Sequence, residues 1–562
     1  MNAIHGVGVG AGRVVGPVKH MPAPLAPPAS DAAWPEGATA ETEAARLKEA
    51  AAAVADQLRA RAASAAPAAA EVLKSTALMA TDSMLRKNST KLITAGRNAE
   101  SAVWEAAEAF ASSLLSLGGY MAERATDVLD VRARIVAELR GVPAPGIPGS
   151  ETPFVLVAED LAPADTATLD PGIVVALVTS GGGPQSHTAI IARALGLPAV
   201  VAADGVGAIP EGTEVFVDGA AGLVRPEPDA ADRASAEAYA AREPLPTFTG
   251  RGALADGTSV PLLANVGGAD DAVAAAAEGA EGVGLLRTEF CFLGRDTEPG
   301  HEEQVKAYRG VFDAFEGKKV VVRTLDAGAD KPLPFLTDTS EPNPALGVRG
   351  YRTDAATPGV LARQLAAIAE AADGSAAEVW VMAPMISTPA EARDFAALCT
   401  EAGLETSGVM VEVPSAAVSA GHVLAGVGFA SIGTNDLTQY TMAADRQLGP
   451  LAALNDPWQP AVLRLIEATV RGAAEAGGST PKPVGVCGEA AADPALAVVL
   501  VGLGISTLSM TARALAPVAA VLASVDAGRA RELAALALAA EGPAEARQAV
   551  RAGLPVLDSL GL

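Results

Sequence analysis

Between Pro261 and Met510 the chain repeats one pattern eight times: a short apolar run, then a segment with helical spacing. The runs are Pro261 to Val266, Gly282 to Glu289, Val320 to Asp326, Val379 to Met385, Val409 to Pro414, Phe429 to Asp436, Val484 to Glu489 and Thr507 to Met510. Eight such alternations predict a (β/α)8 barrel. Upstream the rhythm changes. From Glu36 to about Arg140 the sequence is Ala, Leu, Glu and Arg at helical spacing, with few Pro or Gly and no strand-like alternation, which predicts several antiparallel helices. β-like runs flank this stretch, in Ile4 to Val18 before it and in Phe154 to Ala158, Ile173 to Thr179 and Glu214 to Asp218 after it. The punctuated segments Met21 to Pro35 and Gly141 to Pro153 separate them, so the helices read as an insertion into an α/β domain. A charged, Ala-rich helix from about Asp229 to Ala241 ends at Pro244 and Pro246, as a connection between moving domains would. The expected architecture is α/β and multidomain: residues 1–20 with 142–225 form the α/β domain, 25–140 the inserted helices, 226–250 a linker and 251–562 the barrel.

Composition narrows the functional classes. The formal net charge of -25 disfavours nucleic acid and anionic lipid as partners, because those surfaces require clustered Lys and Arg. A solvated surface that keeps an Ala-rich protein in solution accounts for that charge more simply than steering of a basic partner. The longest apolar stretch, around Leu496 to Ile505, is shorter than a bilayer span and is interrupted by Gly502 and Gly504, so no membrane insertion is expected. Met1 to Arg13 has no basic region followed by an apolar core, and Cys291, Cys399 and Cys487 are widely spaced. Both features predict a cytoplasmic protein without disulfides or structural zinc.

The barrel runs end in polar residues: Arg287 and Glu289, Arg323 and Asp326, Glu412, Asn435 and Asp436, Cys487 and Glu489. In such barrels the chemistry sits where strands end, so these side chains should share one mouth. Any one of them could merely cap a strand, but several with complementary charge on separate strands suit a small polyanion held through a divalent cation. Arg forks bind carboxylate or phosphate oxygens, and a pair of carboxylates holds Mg²⁺. That mouth offers no obvious phosphate acceptor. One stands in Gly181-Gly182-Gly183-Pro184-Gln185-Ser186-His187-Thr188-Ala189-Ile190-Ile191-Ala192-Arg193, where a Gly-rich turn delivers His187 to a helix start that favours phosphate. Imidazole has an unprotonated ring nitrogen near neutral pH, and Ser186 and Thr188 are expected to add hydroxyl donors.

The His187 segment resembles the phosphohistidine motif of the phosphoenolpyruvate-utilising enzymes: enzyme I of the sugar phosphotransferase system, pyruvate phosphate dikinase and phosphoenolpyruvate synthase. The barrel resembles the same family's substrate site through Leu285-Leu286-Arg287-Thr288-Glu289-Phe290, Arg323-Thr324-Leu325-Asp326, Asp330-Lys331, Glu412-Val413-Pro414, Gly433 to Tyr440 and Cys487-Gly488-Glu489. These matches extend over nearly the whole chain and are specific as a set. The dikinase and synthase need an ATP-binding domain that this chain has no room for, and the nitrogen-regulatory enzyme I has an extra sensory domain, so the sugar-transport enzyme I is the best fit.

The resemblance implies a phosphotransferase that moves phosphate from phosphoenolpyruvate to His187 and then to the histidine carrier HPr, releasing pyruvate. It implies that Arg287, Arg323 and Arg349 clamp the substrate with help from Asn435 and Arg446, that Glu412 and Asp436 ligate Mg²⁺, and that Cys487 protonates the enolate carbon. It also implies HPr docking on the inserted helices and a homodimer through the barrel. Two positions depart from the pattern. Gln185 replaces the usual Thr two residues before the histidine, and the segment Leu73 to Asp82 keeps Met79 and Asp82 but lacks a histidine often found there. Two other readings stand beside this one: an ATP-dependent phosphoenolpyruvate-forming enzyme, and a silent regulator that binds without transferring phosphate.

Overall fold

The computed structural model of the chain describes all residues except 1–2, 11, 23–24, 29–33, 35–36, 65–75, 118, 144–145, 160, 162–168, 184–185, 243–244, 246, 294, 328–332, 338–340, 342 and 447, and except the side chains of 61–64, 83, 113–127, 187, 190, 194, 449–450 and 452. The chain divides into two compact units, Met1–Ala240 and Ala241–Leu562.

Among the described residues the first unit is built on eight strands: β1 (Ile4–His5), β2 (Val7–Gly10), β3 (Arg13–His20), β4 (Phe154–Ala158), β5 (Val174–Thr179), β6 (Ala199–Val201), β7 (Glu214–Asp218) and β8 (Leu223–Pro226). They lie in the order β1-β8-β7-β3-β4-β5-β6-β2. Strands β3 to β6 pair in parallel, while β7, β8, β1 and β2 add antiparallel margins. The period of two along β4 sends Phe154, Leu156 and Ala158 to one face and Val155 and Val157 to the other, and both faces are covered.

Neighbouring strands β3 and β4 are separated in sequence by helices that include, among the described residues, α1 (Ala40–Ser64), α2 (Ser83–Thr94), α3 (Ala99–Leu117) and α4 (Gly119–Arg140). These close on a core of their own around Leu47, Val54, Leu58, Ile93, Val103, Val131 and Ile135. Further helices among the described residues of this unit include α5 (His187–Leu195) and α6 (Ala230–Ala240).

In the second unit strands β9 (Leu262–Val266), β10 (Gly282–Arg287), β11 (Lys319–Arg323), β12 (Glu378–Ala383), β13 (Ser407–Val411), β14 (Phe429–Ile432), β15 (Val484–Val486) and β16 (Thr507–Met510) close into an all-parallel barrel. Along β11, Val320 and Val322 pack outward against the helices, while Val321 joins Leu285, Met382, Met410 and Phe429 in filling the interior. The interior is a packed core whose upper surface is left to polar side chains. The helices that matter to that surface are α7 (His301–Ala314), α8 (Val360–Ala372) and α9 (Thr434–Met442).

The expected α/β architecture, with its helical insertion and barrel, is the one observed. Most of the expected barrel strands overshoot: the run expected for β11 reaches Asp326, yet pairing stops at Arg323, and that for β14 reaches Asp436, yet pairing stops at Ile432. The residues beyond each strand are those freed from the ladder to form a site.

Candidate active site

The barrel mouth is assembled from loops and strand ends that are far apart in sequence. Arg287 and Arg323 are the last residues of β10 and β11, Glu412 and Cys487 directly follow β13 and β15, and Asn435 and Asp436 lie in the first turn of α9. Arg349 belongs to the long excursion between β11 and β12, at the start of a short helical turn at Gly350–Arg352. Arg446 follows α9.

Arg323 is 6% exposed and bonds Glu289 at 2.7 Å and Asp326 at 3.0 Å. Arg349, 3% exposed, reaches Asp326 at 3.5 Å and Asp436 at 3.2 Å, and donates to the Tyr440 hydroxyl at 3.3 Å. Arg446 approaches the other oxygen of Asp436 at 3.6 Å. The result is one chain of alternating charge, Glu289–Arg323–Asp326–Arg349–Asp436–Arg446. Burial works against the charges of Arg323 and Arg349, but the carboxylates around them outweigh it and hold both guanidiniums charged at every accessible pH. Nε of Arg323, Nε of Arg349 and Oγ1 of Thr434 are buried without a hydrogen-bond partner among the described residues. Buried donors left this way are expected where a ligand completes the site.

Glu412 lies 1% exposed and accepts the Met385 N–H at 2.6 Å. Met385 has φ of 60°, a left-handed conformation that a side-chain-bearing residue adopts only when its surroundings impose it, and this turn places the donor at Glu412. Burial, and then the charges of Asp436 and Asp326, push the Glu412 carboxyl well above the usual range against the pull of Arg323 and Arg349. Crowded carboxylates of this kind are a favourable place for a divalent cation, and an oxygen-only donor pair suits Mg²⁺, which keeps waters and takes substrate oxygens. Among the described residues no three His, Cys, Asp or Glu side chains form a ready cage, so a cation here relies on Glu412, Asp436 and exogenous oxygens.

Close packing fixes these groups. A Cβ on Gly433 would come within 2.8 Å of Glu412 Oε2, and one on Gly488 within 1.9 Å of Thr434 Oγ1. Cys487 forms the floor, 4% exposed, with its thiol 3.6 Å from the Ile432 carbonyl. Burial raises its pKa, opposed by the Ser431 hydroxyl, Arg323 and Arg287, so the thiol stays protonated. Asn435 Oδ1 accepts the Glu489 N–H at 3.1 Å, which ties α9 to the loop after β15. The structure therefore brings Arg323, Arg349, Glu412, Asp436, Arg446 and Cys487 together. Arg287 is half-buried and makes no ion pair with a described residue. Sequence reasoning placed Glu289 and Asp326 at the mouth, and Tyr440 within a matching motif, without a role, and it missed the Met385 backbone.

In the first unit, α5 begins at His187 and is capped by Ser186, whose side chain accepts the Ala189 N–H at 3.3 Å. The Ser186 N–H returns to the Gly183 carbonyl at 2.9 Å, closing the turn that presents the helix start. Ala189 and Ala192 pack this helix onto the sheet. The His187 side chain, Pro184 and Gln185 lie outside the described residues, as do Asp330 and Lys331. Thr188 is fully buried, and its hydroxyl oxygen accepts the Leu161 N–H at 3.2 Å, which ties the helix start to the segment after β4. Asp82 likewise has a local task, accepting the N–H groups of Met84 and Leu85 as N-cap of α2, and Met79 packs on the helical core. Leu78 and Met84 beside them are exposed.

Comparison with known proteins follows the same division. Residues 5–124 match the family described as PEP-utilising enzyme, N-terminal, residues 150–222 its mobile domain and residues 248–527 its PEP-binding domain. The chain is 52% identical to a phosphoenolpyruvate-protein phosphotransferase of Streptomyces coelicolor, over 98% of this chain and 99% of that protein. Proteins of the same description from Haloferax volcanii and Bacillus subtilis are 41% and 39% identical, over 89% and 80% of this chain and 91% and 81% of theirs.

Proposed function

This chain belongs to the phosphoenolpyruvate-utilising enzyme family, and we propose that it acts as the phosphoenolpyruvate-protein phosphotransferase that opens a sugar phosphotransfer pathway. The observation that supports this most directly is the convergence of Arg323, Arg349, Glu412 and Asp436, from separate strand ends, above a protonated Cys487. Arg287, Arg323 and Arg349 hold the phosphate and carboxylate of phosphoenolpyruvate, with Arg446 and the Asn435 turn completing the wall. Glu412 and Asp436 hold Mg²⁺, which neutralises charge on the substrate oxygens.

The reaction balances on two groups of this chain. A ring nitrogen of His187 attacks phosphorus in line, the bond from phosphorus to the enol oxygen breaks, and the electrons move onto the enolate. Cys487 gives its proton to the methylene carbon, forming pyruvate, and recovers a proton from solvent. The helix start at His187 supplies backbone N–H groups to the phosphoryl group it carries. The phosphohistidine domain, residues 1–20 with 142–225, then delivers that group to HPr on the inserted domain, residues 25–140, where the exposed Leu78 and Met84 offer an apolar contact. The linker 226–250 permits this exchange of partners, and the barrel, 251–562, forms the homodimer. A cytoplasmic location suits these partners, and among the described residues no helix is long and apolar enough to cross a membrane.

Pyruvate release tests the reading. Without HPr the protein should release about one pyruvate per chain and stop, because His187 is filled; with HPr, release should continue until HPr is consumed. Continued release in the absence of HPr, or none in its presence, contradicts it.

A further inference from the structure

A buried polar relay runs behind the arginine clamp. Gln364 on α8 is 1% exposed, although it stands in an otherwise apolar helix face with Val360, Leu361, Leu365 and Ile368. Its Oε1 accepts the Leu325 N–H at 2.8 Å, and its Nε2 donates to the Thr288 hydroxyl and the Tyr308 hydroxyl, each at 3.1 Å. Thr288 in turn donates to the Arg323 carbonyl at 2.8 Å. Tyr308 donates to Gln304 Oε1 at 3.1 Å, and Gln304 Nε2 ends the relay on the Pro299 carbonyl at 3.0 Å. Each donor of the relay has an acceptor, so its direction is fixed, and a satisfied buried network of this kind is rigid.

Its two inner ends fall at informative places. Thr288 lies between Arg287 and Glu289, and the Arg323 carbonyl and Leu325 N–H bracket the turn that leads to Asp326. We propose that Gln364 is a positioning residue, an outer-helix amide that fixes the ends of β10 and β11 relative to one another and so sets the spacing of the Arg287 and Arg323 guanidiniums on the substrate. This rests on the clamp reading given above. A core glutamine without this task would be replaceable by Leu at a cost in stability alone.

The test compares KM and kcat for phosphoenolpyruvate, by pyruvate release with HPr in excess, in the full-length protein. Thr288→Val removes the hydroxyl that joins both strand ends to Gln364 while keeping the shape, and Gln364→Leu removes the hub. Tyr308→Phe breaks the relay on its outer side only. Each guanidinium shift costs binding, and sub-ångström to 1 Å misplacements cost up to about 100-fold, so Thr288→Val and Gln364→Leu should raise KM about tenfold, with kcat falling less than about threefold. Thr288→Ser should restore KM, and Tyr308→Phe should lower the melting temperature while leaving KM near wild type. If Gln364→Leu does not fold, Thr288→Val and Thr288→Ser carry the comparison. Wild-type KM in Thr288→Val, or an equal KM rise in Tyr308→Phe, overturns the proposal. Wild-type protein that releases no pyruvate from phosphoenolpyruvate overturns the clamp reading itself.

Discussion

Replacing Arg323 by Met separates what the arginine does for the substrate from what it does for the fold. Arg323 is a buried counter-charge of Glu289, 1% exposed, and shares Asp326 with Arg349, so its removal takes a 2.7 Å ion pair from Glu289 while Asp326 keeps the Arg349 guanidinium. Breaking a buried ion pair from one side costs about 3–5 kcal/mol. At roughly 2–3 °C per kcal/mol for a unit this large, the barrel's melting temperature should fall by about 6–15 °C at neutral pH. Calorimetry at neutral pH reads the loss. Adding Glu289→Gln should recover much of the stability, because it removes the buried charge that lost its guanidinium, but should not recover the KM for phosphoenolpyruvate. A double variant as unstable as the single one, or a single variant with wild-type KM, refutes this account of the pair.

Three further outcomes follow from the same geometry. Cys487→Ala removes the proton donor without removing the clamp, so pyruvate release should fall about 10²–10⁴-fold; because burial raises the thiol's pKa above its ordinary 9.0, wild-type release should show no loss attributable to Cys487 between pH 7 and 9, and a falling limb in that window that Cys487→Ala removes would contradict the assignment. Gly488→Ala places a Cβ 1.9 Å from Thr434 Oγ1 and 2.7 Å from its backbone N, forcing α9 and with it Asn435 and Asp436 to shift, which should cost about 1–3 kcal/mol and most of the activity; unchanged melting and turnover would show that the floor yields. Removing Mg²⁺ with EDTA should abolish phosphorylation by phosphoenolpyruvate and its return should restore it, whereas full-rate labelling in EDTA would remove the metal role from Glu412 and Asp436.

The barrel was legible because short apolar runs, some of only three residues as in Val320–Val322 and Val484–Val486, recur eight times with helical segments between them. Strands β6 and β8 were not, since short runs such as Ala199–Val201 stand outside any repeat and owe their pairing to neighbours on either side. The functional strand ends were legible as polar residues that terminate apolar runs. Their pairing was not, because Arg323 meets Glu289 and Arg349 meets Asp436 across long sequence separations set by barrel closure. The contact of Thr188 was not legible either: only the fold reveals that its hydroxyl oxygen accepts the Leu161 N–H. Gln364 was invisible, because one polar residue on a helix reads as its solvent face until packing turns it inward.

The most direct measurement of the central claim is incubation with phosphoenolpyruvate carrying labelled phosphate, in Mg²⁺, for wild type and His187→Ala, followed by addition of HPr. Acid-labile label that needs His187, forms without ATP and passes to HPr is the predicted result. Label on His187→Ala, label that requires ATP, or wild type that stays unlabelled would contradict it.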